Sequence, residues 1–411
     1  MNLRSITLGM PWEEDARDRL RADISDFFRQ ALSLFAQHGF PARTYRFMLT
    51  PVALTCEHDR KRAHESIAYI SQMCASSSIR WFCVPFYTAG QNLEKVNAFA
   101  HEVVERYNNA FVNYIVAGAK GIDMQGITAA AAFIKSVSGL SDNGFDNFRC
   151  GVSCNIKADG AYFPFSYNGG ASGFAVALEM VPLCIALIQS QHGLPLDHIR
   201  ETIVETLVPL LQKVEGIAKT IAQKTGMRYF GIDASFAPHP EHPDHSVARM
   251  IELLGIARCG CSGTVFATGF LTDIIKTLIK KSGIQSTGFN GVMFSVLEDP
   301  RLGEVSAAPN TISIDSLLAY ATMCGCGIDM VPVPGDMTEA EIASVILDVA
   351  AVALRLDKPL GIRLLPVPGK RAGEMTTFNH DFLHNTKVQN ILHHNSLAVL
   401  SRAEKLFRFL A

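Results

Sequence analysis

The sequence predicts an α/β fold built as one large domain, and three observations carry that expectation. Apolar periodicity alternates between strand-like runs and amphipathic helices almost from end to end; no linker-like stretch interrupts it; and 48% of the 411 residues are hydrophobic while 18% are charged. Soluble proteins average roughly 25% charged residues, so this chain has the means to bury a large core. Strands separated by helices imply parallel pairing with right-handed crossovers, in a sheet or a barrel.

The elements follow in order. After Pro11, apolar residues at Ala16, Leu20, Ile24, Phe27, Phe28, Ala31, Leu32 and Phe35 recur at steps of three and four, and Gly39 supplies a stop signal, which makes a helix. An extended run over 44–52, a polar helix near 60–73 and an apolar run over 79–86 come next. Over 93–119, Val96, Phe99, Val103, Tyr107, Phe111 and Tyr114 share one helical face before Gly121, which predicts a long helix. In 148–157, Phe148, Cys150, Val152, Cys154 and Ile156 alternate with Arg149, Ser153, Asn155 and Lys157, the period of a strand. Helices over 172–189 and 197–225, a strand over 227–234, a helix over 246–254 capped by Ser246 and a helix over 270–281 lead to the last third. There, strands over 291–297, 327–333 and 360–366 alternate with helices over 314–323 and 338–355. Thr338 and Glu341 have capping-box spacing, in which a hydroxyl and a carboxylate satisfy orphan amides of the first turn.

Charge narrows the partners. Lys+Arg number 37 and Asp+Glu 39, a net of -2 with no block of five like charges, so neither a nucleic-acid footprint nor an acidic tail is present. The longest apolar stretch, 173–188, is broken by Glu179 and Pro182 and falls short of the roughly 20 residues that cross a bilayer. The expected partner is a small-molecule substrate, with no nucleic acid and no membrane. Low charge with high apolar content also predicts a homo-oligomer. The opening MNLRSITLGMPWEEDARDR places acids where a signal peptide needs an apolar region, so a cytoplasmic location is expected, with the ten cysteines as thiols.

Ligands of parallel α/β folds collect beyond the carboxyl ends of strands. Polar residues fall there: Lys157; Asp233 and Ser235; Glu298 and Asp299; Asp336; Lys370 and Glu374. Each could equally be a helix cap. The densest group is MCGCGIDMVPVPGD at 323–336, where glycines beside Cys324 would let backbone amides approach a substrate oxygen and a thiolate would be the reactive group. Buried packing explains such cysteines as well. Two CGC pairs, at 259–261 and 324–326, space their thiols too closely for an ordinary zinc site. The APHPEHPDHS loop offers His239, His242, Asp244 and His245, a set able to ligate a divalent cation or to titrate near neutrality, in what three prolines make an extended loop or lid. Gly-rich YNGGASG and GCSGT could cradle an anion, yet neither matches a nucleotide-binding fingerprint.

RSITLGMPW, GIDASFAPHP, GFNGVMFSVLED, MCGCGIDMVPVPGD and KPLGIRLLPVPGKRAGE, in this order across the chain, resemble the uncharacterised family called domain of unknown function 711. Members of that family look like the catalytic barrel of pyruvate formate-lyase. The resemblance therefore implies a single ten-stranded α/β barrel with helices outside and a loop threaded inside. Nothing after Lys370 matches the arginine-valine-x-glycine-tyrosine loop of glycyl radical enzymes, so radical chemistry is not implied. Where the family pattern leads one to expect a histidine after the tyrosine of FPFSYNGG, this chain has Asn168.

Three functional expectations result. The first is a non-radical enzyme acting on a small polar carbonyl or carboxylate compound in the barrel mouth. Cys324 would be its nucleophile or proton donor, Asp329, Asp336 and Asp233 would orient groups or move protons, and Arg363 or Lys157 would hold a carboxylate. Gly325, Gly335, Tyr167, Asn168 and Glu374 complete the expected substrate site. The second is a hydrolase or lyase in which Glu298, Asp299, His239, His242 and His245 hold a divalent cation. The third is a small-molecule sensor on an enzyme-like fold.

Overall fold

The first strand, β1 (Asn2–Gly9), is one that apolar spacing does not mark. The structure is a computed structural model that describes residues 1–12, 17–242, 245–309, 311–323, 325–391, 398–402 and 405–409. Among these are β2 (Ala42–Met48), β3 (Trp81–Tyr87), β4 (Ala110–Gly118), β5 (Gly121–Asp123), β6 (Cys150–Cys154), β7 (Gly173–Glu179), β8 (Arg228–Asp233), β9 (Gly327–Pro334), β10 (Leu360–Val367) and β11 (Leu406–Phe407). They form one 11-stranded sheet in the order β8-β7-β1-β2-β3-β4-β6-β10-β9, with β5 and β11 added beside β4. The α/β class holds. The pairing is mixed rather than all parallel, because β1 runs antiparallel to β7 and β6 antiparallel to β10.

Two expected helices are corrected. The helix that begins at Leu93 ends at Arg106, and 110–118 is β4. Phe111 and Tyr114 are buried on opposite faces of that strand, so an apolar run covered on both sides reads like a helix face. Likewise 173–179 is β7, and the helix starts only at Val181, with Pro182 in its first turn. The run 291–297 forms no named strand; it contributes isolated bridges, Phe236 to Val292 and Ser295 to Asp329. The sheet itself is not closed, and these bridges connect β9 with the residues just beyond β8. The helix Glu339–Arg355 has the expected capping box, with Thr338 and Glu341 each bonded to the other's backbone amide.

Each face of the sheet meets a different partner. Phe82, Val84, Val112, Tyr114, Val152, Phe174, Val176 and Ile362 pack outward with the helices in the main core. The opposite face packs a loop, in which Phe165 and Tyr167 join Ile115 and Phe289, and Ala161 meets Ala175 and Ala177. The backbone of that loop is tied to two strands and to the residue that follows a third: the Cys83 thiol donates to the Pro164 carbonyl at 2.9 Å, Asn113 Nδ2 donates to the Phe165 carbonyl at 3.0 Å, and the Asn168 amide donates to the Leu49 carbonyl, just past β2, at 2.9 Å. Small residues make the room. A Cβ at Gly361 would collide with the Phe165 ring, one at Gly151 would stand 3.0 Å from it, and one at Gly9 would stand 2.7 Å from Asn168. A curled sheet thus wraps an internal loop and leaves a small cavity beside it.

Candidate functional site

That cavity, about 50 Å³, lies on the inner face of the sheet. Its walls are Arg4 from β1, Arg46 from β2, Trp81 from β3, Phe111 from β4, Asp329 from β9 and Arg363 from β10, with Phe148, Phe163, Phe165, Ser295, Glu298 and Cys326 between them. Five aromatic rings, a thiol and a hydroxyl thus stand around three guanidiniums and two carboxylates, a costly arrangement unless the charges are paired.

One guanidinium is fully committed. Arg363 donates through Nε to Asp329 at 2.6 Å and through Nη2 to Asp329 at 2.8 Å and Glu298 at 2.8 Å, while Ser295 Oγ donates to Glu298 at 2.5 Å. Burial opposes ionisation of Glu298, but the Arg363 charge and the Ser295 hydroxyl outweigh it and hold its carboxyl below the usual range. Burial likewise works against the Arg363 charge, and the two carboxylates more than restore it.

Arg46 is the contrast. It is 8% exposed, its Nε has no partner, and no hydrogen bond or ion pair reaches its guanidinium among the described residues. Its Cζ lies 4.7 Å from the Phe163 ring centre and 5.8 Å from that of Trp81. Burial pushes its pKa well down, as does repulsion from Arg4 and Arg43. Arg4 gives one bond, to the Pro238 carbonyl at 3.2 Å.

The expected site residues divide accordingly. Asp329, Arg363 and Glu298 meet at the cavity; Cys324 lies outside the described residues, as does Asp244, and the neighbouring thiol Cys326 lines the wall. Gly325 is buried where a Cβ would stand 2.7 Å from the Phe289 carbonyl. Asp233 is buried apart from the cavity, its Oδ1 accepting from Ser235 Oγ at 2.6 Å, Ser235 N at 3.2 Å and Asn290 N at 3.0 Å; burial lifts its pKa to about 6. Asp299 caps the Pro300–Ser306 helix and also binds Ser246 Oγ and the amides of Val247 and Ala248, so its oxygens are occupied. Lys157, Asp336 and Glu374 are exposed, and Gly335 accepts from Lys135 Nζ at 2.6 Å. Tyr167 donates to the Ile156 carbonyl, and Asn168 bonds Asp159 and Ala171 within the internal loop.

The histidine loop forms a second group. The rings of His239, His242 and His245 stand 4.9 to 5.3 Å apart, and donor atoms of His239, Glu241 and His242 lie within 4.8 Å of one another, a set that could hold a metal ion. Burial, then the charges of Arg43 and the neighbouring histidines, lowers the His239 pKa to about 3. Its Nδ1 accepts the Glu241 amide at 3.1 Å, so ligation through Nε2 would move the ring proton to Nδ1 and give up that bond. Pro238, which begins this segment, lines the cavity, so the two groups are neighbours.

Sequence reasoning missed Arg4, Arg46, Cys326 and Glu241. RSITLGMPW and the CGC pair contained two of them, and the spacing of Glu241 between His239 and His242 was the available signal for a third. Nothing local distinguishes Arg46 from a solvated arginine.

An α/β sheet wrapped around an internal loop, with a charged cavity between them, defines the architectural class. The family described as "Uncharacterised ACR (DUF711)" matches residues 1–384, and the chain belongs to it. It is similar to a "UPF0210 protein" of Pyrobaculum arsenaticum, 27% identical over 91% of this chain and 87% of the relative. It is also similar to UPF0210 proteins of Acetivibrio thermocellus and Neisseria gonorrhoeae, each 25% identical over 92% of this chain and 88% of the relative. No helix among the described residues is long and apolar enough to cross a membrane.

Proposed function

We propose that the protein is a non-radical enzyme acting on a small polar carbonyl or carboxylate compound within the sheet-enclosed cavity. The observation that carries this reading is the convergence of Arg4, Arg46, Arg363, Glu298, Asp329 and Cys326 on one space, with Arg46, Arg363, Asp329 and Cys326 buried. Apolar packing would stabilise a fold more cheaply, so retaining such groups together fits selection for chemistry. In this reading Arg363 positions Asp329 and holds Glu298 ionised, and the thiol of Cys324 or Cys326 serves as nucleophile or proton donor.

A metabolite library screened by thermal shift, with mass spectrometry of the mixtures, tests it. A converted compound should lose turnover by at least tenfold in Cys326→Ser or Cys324→Ser; undiminished turnover in both removes the thiol from the mechanism. A second reading, hydrolysis or lyase chemistry assisted by a divalent cation, is supported by the proximity of His239, Glu241 and His242. Imidazole and carboxylate donors suit zinc and its neighbours in the first transition row.

A further inference from the structure

We infer that Arg46 is the anchor for the carboxylate of a two- or three-carbon monoanion, seated in the inner cavity beside Arg4. This rests on the cavity being the site of action and deepens that reading by naming the group recognised.

The argument begins with donors. A guanidinium has five N–H bonds in a planar fork, and those of Arg46 find no acceptor among the described residues, although the side chain is more than nine-tenths buried. Its contacts with Phe163 and Trp81 are cation–π in kind. Such contacts contribute on the order of 0.5 to 2 kcal/mol and satisfy no hydrogen bond. Arg363 shows what the same group does in this cavity when acceptors are supplied, since it takes both Asp329 oxygens and reaches Glu298.

Charge points the same way. Three arginines and two carboxylates line the cavity, and both carboxylates are engaged by Arg363. One elementary positive charge is left over, beside a donor fork whose geometry matches a carboxylate bidentately. The adjacent, stacked rings of Phe163 and Trp81 hold the fork in position before anything binds, so little side-chain freedom is lost on binding.

Size limits the ligand. A water molecule needs about 10 to 15 Å³ of such space, so a cavity of about 50 Å³ holds roughly three to five water-sized groups. Acetate, glycolate and propionate fall in that range, whereas a dicarboxylate would exceed both the space and the surplus charge.

Isothermal titration calorimetry of the full chain with acetate, propionate, hexanoate, acetamide, propionamide and chloride decides the matter. Acetate or propionate should bind at least tenfold tighter than its amide and than chloride, and hexanoate should bind at least tenfold more weakly than propionate. Arg46→Met should weaken the short carboxylates at least tenfold, and Arg46→Lys, which keeps the charge but loses the fork, should fall between. Should Arg46→Met fail to fold, the wild-type series and Arg46→Lys still decide. Equal binding of amides and carboxylates, chloride binding as tightly as acetate, no carboxylate binding at all, or binding unaffected at Arg46→Lys would each overturn the anchor. Carboxylate binding without turnover of any compound would instead remove the enzyme reading and leave the anchor. Turnover of an uncharged compound with no carboxylate preference would do the reverse.

Discussion

Arg363 and Asp329 face each other across adjacent parallel strands and share two hydrogen bonds, at 2.6 and 2.8 Å, with both side chains buried. A pair enclosed to this degree is an all-or-nothing device. Its net contribution against an apolar pair is small, but loss of one partner leaves the other charged and unsolvated.

Arg363→Met should therefore strand two carboxylates, Asp329 and Glu298, and lower unfolding free energy by about 3 to 5 kcal/mol. Arg363→Lys keeps a charge without the fork and should cost less. Urea denaturation midpoints of the three proteins check the order, and a stable Arg363→Met variant at neutral pH would refute it.

Asp233 sets a pH dependence. Its pKa is about 6 in the folded chain against 3.8 unperturbed, with burial as the cause. The folded state thus binds the proton more tightly, so the contribution is fully present below about pH 4 and is lost as pH rises through about 6, by roughly 3 kcal/mol. Asp233→Asn retains the oxygen that accepts all three hydrogen bonds. Its stability should lack this fall between about pH 4 and 6, so identical pH profiles for the two proteins would refute the assignment.

Gly361 and Gly151 both face the Phe165 ring. Gly361→Ala should cost about 1 to 3 kcal/mol by overpacking, and Gly151→Ala less, because its added carbon would stand 3.0 Å from the ring rather than 2.4 Å. Phe165→Leu should relieve the Gly361→Ala defect in a double-mutant cycle on thermal stability. Additive losses would show that the ring is not what the glycine accommodates.

The cation reading makes its own demand. Purified protein should take up about one equivalent of zinc or cobalt in elemental analysis after dialysis, as one shared site requires, and His239→Ala with His242→Ala should abolish uptake. Equal uptake by wild type and double variant would place any metal elsewhere.

The sequence alone determined the features that local chemistry controls. Thr338 and Glu341 cap their helix, and the clustering of His239, His242 and His245 needs only a short loop. The α/β class and family membership were legible for the same reason, since they rest on periodicity and on motifs a few residues long. Where a strand is buried on both faces, as at 110–118 and 173–179, the two-residue period disappears and the run imitates a helix. Arg46 shows what only tertiary structure decided. In the chain it is one of 37 basic residues; only when β1 to β4, β9, β10 and the internal loop close around it does it lose water, gain Phe163 and Trp81, and stay without an acceptor. Desolvation depends on enclosure by segments more than 300 residues apart, and no local pattern encodes it.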